Sequence, residues 1–112
     1  MTEEAKPWEI RYTETAKNDL KGILAYISGV LLEPGIAADL YRDLTAAIRS
    51  LETMPYRFHL YDAEPWAGQG IRVLRLKNYL TFYQPDEATH TVRIIRVMYG
   101  GRDIDEQLKQ TK

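Results

Sequence analysis

The chain has 112 residues, a formal net charge of −1, 45% apolar and 11% aromatic residues, and no cysteine. This predicts one folded domain over 1–112, frayed at 1–6 and 108–112, and excludes disulfides and thiolate metal sites. The acidic start "MTEEAKPW" is no secretory leader and no apolar run reaches membrane-spanning length, so a soluble cytoplasmic protein without membrane partners is expected.

"WEIRY", Trp8 to Tyr12, alternates and is rich in β-formers, which predicts a short strand. Thr13 fits a helix N-cap. Ala16, Leu20, Ile23, Leu24, Ile27 and Leu31 then recur at three- and four-residue steps, the apolar stripe of a helix. "LEPG" interrupts it, and Pro34 suits the first turn of a second helix with the stripe Ile36, Leu40, Leu44, Ile48 and Leu51. Two helices so closely joined predict an antiparallel hairpin, ended by Met54-Pro55. "YRFHLYDAEPWAGQG", 56–70, is a long aromatic loop, either functional or packed down by its own rings. Three strand-like runs follow at 71–77, 79–84 and 91–99, with a tight hairpin at Asn78 and a wider one over 85–90. Gly100-Gly101 predicts a turn, and the tail beyond it a short helix with Asp103, Asp105 and Glu106 at its N-terminus. The order β-α-α-β-β-β is an α+β domain: an N-terminal strand and a helical hairpin packed on a mainly antiparallel twisted sheet.

Positive charge gathers late. Residues 1–54 hold six Lys/Arg against nine Asp/Glu, whereas residues 71–102 hold six against two. Period-2 geometry, with Leu74, Leu76, Leu80, Phe82, Ile95 and Val97 facing the helices, leaves a free sheet face. That face would carry Val73, Arg75, Lys77, Tyr79, Thr81, Tyr83, Ile94, Arg96 and Met98. A half-apolar surface with cations suits a partner-binding sheet, although ordinary solvated positions give the same pattern. The binding candidates are Arg72, Arg75, Lys77, Tyr79, Tyr83, Arg96, Met98 and Arg102.

Chemistry-bearing motifs are few. His59 and His90 lack metal-ligand spacing, Ser28 and Ser50 lack a nucleophile-elbow setting, and Gly68 and Gly70 precede a strand, not a helix. No metal or cofactor is expected. Cations on a sheet face would still permit metal-free handling of a phosphodiester.

An arginine-bearing strand, Asn78-Tyr79, Phe82-Tyr83, and an Ile/Val strand ending in Tyr-Gly-Gly-Arg-Asp follow one another over 71–103. In this order they resemble the RelE/ParE superfamily of toxins from bacterial type II toxin–antitoxin modules. "WEIRYTETAKNDLKGILAYI" and "AAIRSLETMPYR" are similar to that family's first strand and helix and to the end of its second helix. The resemblance implies a growth-inhibiting toxin of the plasmid-stabilisation kind. A cognate antitoxin would silence it, its disordered C-terminal segment folding on the helical hairpin groove or an exposed sheet edge. RelE-type members are ribosome-dependent, metal-free mRNA endonucleases, and resemblance to them would assign catalysis to Arg75, Lys77, Arg96, Tyr99 and Arg102. Leu80, however, stands where that arm has an arginine, and no tyrosine follows Arg102. ParE-type members lack the catalytic set and poison DNA gyrase by protein–protein contact. The near-equal helices, "NYLTFY" and "RDI" are more similar to that arm. A third expectation is a member that only binds its antitoxin and regulates their operon. Arg57 and His59 have no assigned role, and Trp66 reads as a loop anchor more than a ligand platform.

Overall fold

The computed structural model describes residues 6–100. β1 (Glu9–Tyr12) leads into α1 (Glu14–Ala25), which runs on as one wider turn of π-helix (Tyr26–Val30). α2 (Pro34–Arg49) returns alongside, and a segment with three short 3₁₀ turns leads to β2 (Arg72–Leu76), β3 (Tyr79–Asp86) and β4 (Thr91–Tyr99). The strand order is β1-β4-β3-β2. β1 lies parallel to β4, and the other pairs are antiparallel. This is the expected α+β architecture, with β3 running two residues further than its sequence pattern indicated. The expected tail helix and Arg102 lie outside the described residues.

Local chemistry explains the joints. The Thr13 hydroxyl accepts from the Ala16 amide at 3.1 Å and shares its own proton between the Ile94 and Ile95 carbonyls. One side chain thus caps α1 and ties it to β4. Pro34 stands in the first turn of α2, as expected. Between the helices Leu32 adopts φ +57°, and Glu33 donates back to Ile27 at 3.0 Å to close the reversal.

The sheet has a core on each face. Leu20, Ile27, Leu40, Leu44 and Ile48 of the helical layer pack on Leu74, Tyr83, Val92, Ile94 and Val97. On the distal face Ile71, Leu80, Phe82 and Met98 are buried beneath Tyr61 and Trp66 of the long loop. The facing expected for β3 is therefore reversed. Leu80 and Phe82 point away from the helices, and Tyr79 and Tyr83 point toward them. In β4, Val97 faces the helices as expected, but Ile95 joins the distal core and Ile94 the helical one. The cause is a β-bulge. Phe82 pairs with Arg96 and its neighbour Tyr83 with Ile94, so one extra residue changes the phase of β4 at Ile95. The free face imagined from period 2 does not exist, since Tyr83, Ile94 and Met98 are all buried.

Tyr83 is wholly buried, and its hydroxyl donates to the Pro55 carbonyl at 2.7 Å. Burial pushes its pKa up to about 12, from an ordinary 10. Below pH 10 both folded and unfolded states hold this proton. As pH rises toward 12 the unfolded chain ionises first, so the stabilisation present below pH 10 is lost. We expect urea-unfolding stability to fall by roughly 2 kcal/mol between pH 10 and 12, and Tyr83→Phe to flatten most of that fall. A wild-type curve flat over this interval would contradict it.

Candidate partner-binding groove

β1 ends at Tyr12, opposite Ile94, so the outer edge of β4 beyond the bulge has no neighbouring strand. α1 crosses there instead. Between them opens a groove of about 770 Å³, walled by Asn18, Asp19, Gly22, Ile23, Tyr26 and Ile27 on one side and by Arg96–Tyr99 with Tyr79 on the other. Leu31 closes its hairpin end. Tyr99 meets Tyr79 edge to face, with centroids 5.5 Å apart, and burial beside Tyr99 pushes the Tyr79 pKa up.

Asp19 organises the floor. Its carboxylate accepts from Arg96 Nε at 2.8 Å and Nη2 at 3.0 Å, and from the Val97 amide at 2.9 Å. Both charged side chains are nearly buried, 14% and 13% exposed, and this bidentate pairing leaves the groove electrically neutral. Nothing in the sequence marked Asp19 beyond its place beside Leu20, at the border of the apolar stripe. This residue was missed.

The sequence-derived candidates do not converge. Arg75 is exposed on the distal face opposite Leu80, with no partner among the described residues. Lys77 sits in the β2–β3 turn at φ +55°, and its ammonium reaches Asp43 of α2 at 3.2 Å. Arg72 donates to the Tyr56 and Phe58 carbonyls at 3.1 and 2.6 Å and lies over the Tyr56 ring, fastening the loop. Tyr83 belongs to the helical core, and Met98 to the distal core while bordering the groove. Only Tyr79, Arg96, Met98 and Tyr99 line the groove.

The unassigned residues now have places. Arg57 donates to the Ser50, Thr53 and Met54 carbonyls and to Ser50 Oγ, closing the C-terminal end of α2. Trp66 packs on the distal core, as a loop anchor should. The His59 carbonyl accepts from Val73 at 3.1 Å, and His90 stacks on Trp8 with centroids 4.3 Å apart. Among the described residues no cluster of His, Cys, Asp and Glu could hold a metal, and no helix is long and apolar enough to cross a membrane.

A family profile described as "ParE toxin of type II toxin-antitoxin system, parDE" matches residues 10–104. The chain belongs to the ParE toxin family. It is thus a toxin of the type II toxin–antitoxin class within the RelE/ParE superfamily. Solved structures agree with a ParE-family fold. The toxin–antitoxin complex RelBE2 from Mycobacterium tuberculosis contains a chain 26% identical to this one, with a TM-score of 0.59 over 88% of this chain and 97% of that chain. The chromosomal ParDE system from P. aeruginosa gives 19% identity and a TM-score of 0.68, covering 85% and 98% of the two chains. The isolated RelE toxin of E. coli gives 17% and 0.53, covering 92% and 97%. The last two, at such low identity, speak for the fold alone. No curated protein matches the chain.

Proposed function

We propose that this ParE-family toxin inhibits DNA gyrase in the cytoplasm by protein–protein contact, without turnover of RNA. On the same proposal, its cognate antitoxin silences it by occupying the groove between α1 and β4. One observation carries this reading: the cations of a ribonuclease-type set do not meet. Metal-free cleavage of a phosphodiester needs several charged groups converging on one phosphate. Here Arg96 is held by Asp19, Lys77 is held by Asp43, and Arg75 stands on the opposite face of the sheet. What remains is a neutral, largely apolar groove, the chemistry of a protein contact. Two of the similar structures are toxin–antitoxin systems, which supports an antitoxin partner.

Pulse labelling of DNA and protein synthesis, minutes after inducing this chain alone in bacteria, tests the target. DNA synthesis should fall first, and excess purified chain should block supercoiling by gyrase. Translation collapsing first, with codon-linked mRNA cleavage on ribosomes, would assign a RelE-type ribonuclease instead. No growth effect at all would leave only antitoxin binding and operon regulation.

A further inference from the structure

We infer that the outer edge of β4 at Val97–Tyr99 is a strand-addition site, where an extended segment of the antitoxin pairs parallel to β4 with Met98 as its register partner. The inference rests on the proposal that the groove receives the antitoxin.

The hydrogen-bond alternation fixes the geometry. Gly100 donates to the Asn78 carbonyl at 2.7 Å, so Gly100 and Met98 turn their main-chain groups toward β3. Val97 and Tyr99 then turn theirs to the outer edge, and the Val97 amide is indeed found on Asp19. The Val97 carbonyl and the Tyr99 amide are left facing the groove, with no partner among the described residues. In a parallel ladder one residue of the added strand donates to the carbonyl before its register partner and accepts from the amide after it. Val97 O and Tyr99 N–H are that pair, set around Met98. β1 already runs parallel on this same edge as far as Ile94, so an added strand continues an existing direction. An antiparallel partner centred on Val97 would have to expel Asp19 from the Val97 amide.

Two further features suit a strand in this place. Asp19 and Arg96 cancel each other, so the matching segment is apolar and uncharged along its core. Gly22 lies in the interior of α1, against the groove, and a Cβ built on it meets nothing within 4 Å. Glycine there weakens the helix with no packing reason inside this chain, but it lets another backbone come close. A docked helix would leave the Val97 and Tyr99 groups unsatisfied, since its own main-chain groups are already bonded within it.

Amide exchange by NMR tests this on the full chain, free and bound to the antitoxin cloned from the adjoining reading frame. In the free chain the Tyr99 amide should exchange fast between slow Met98 and Gly100. In the complex it should slow by about 100-fold or more. Gly22→Leu should keep or raise Tm while weakening antitoxin binding by about tenfold or more. If the complex forms and the Ile23 methyl shifts while Tyr99 stays fast, the segment docks otherwise: the strand is overturned and the groove proposal survives. A complex that leaves the groove signals unmoved overturns both. Tyr99 protection that appears in the free chain only as it dimerises would give the edge to a second copy and overturn the assignment to the antitoxin.

Discussion

Asp19→Ala is expected to cost about 3 kcal/mol of stability, roughly 10 °C in Tm for a chain of this size. The change strands a guanidinium that is 13% exposed and removes the acceptor of the Val97 amide. Breaking one side of a nearly buried pair hurts more than the pair was worth, because the surviving charge keeps its desolvation penalty. Asp19→Asn should lose less, since an amide oxygen can still receive the Val97 N–H. Urea denaturation of the three proteins gives the comparison. An alanine variant within about 0.5 kcal/mol of the parent would show that the pair has no structural role.

Phe82→Ala should be more damaging, at about 4 kcal/mol, because a wholly buried ring leaves a cavity the surroundings can only partly fill. Tyr61 meets that ring edge to face at 5.3 Å, and Trp66 covers the same core. The distal face is thus a second core, not a docking sheet. Thermal unfolding settles the point: a loss under about 1 kcal/mol would mean the loop covers the sheet only loosely.

Helix positions, the Thr13 cap, the Pro34 start and the three C-terminal strands could be read from spacing, because each depends on local chemistry. The facing of β3 and β4 could not. "YLTFY" offers apolar or aromatic residues on both faces, and both faces are covered, so period 2 cannot say which set meets the helices. The bulge at Ile95 compounds the error, because a phase change depends on pairing with β3 and leaves no trace in β4 alone. The candidate site suffered likewise. Arg96 and Tyr99 were singled out and do line the groove, but Asp19 lies 77 positions away from Arg96 and only the packing of α1 on β4 joins them. Arg75 and Lys77 looked like members of one basic strand face. The positive-φ turn at Lys77 sends that side chain to α2 instead.

The parallel pairing of β1 with β4 joins residues 9–12 to residues 91–94. During synthesis the first strand therefore waits for the last, and no earlier segment can complete the sheet on its behalf. Loop closure over so long a separation comes late in folding as well. The groove inherits the same delay, because its second wall is Arg96–Tyr99. A nascent or truncated chain that stops short of β4 thus has neither a finished sheet nor a place for its antitoxin. The surface on which this toxin is recognised and the fold that makes it a toxin come into being together, at the very end of translation.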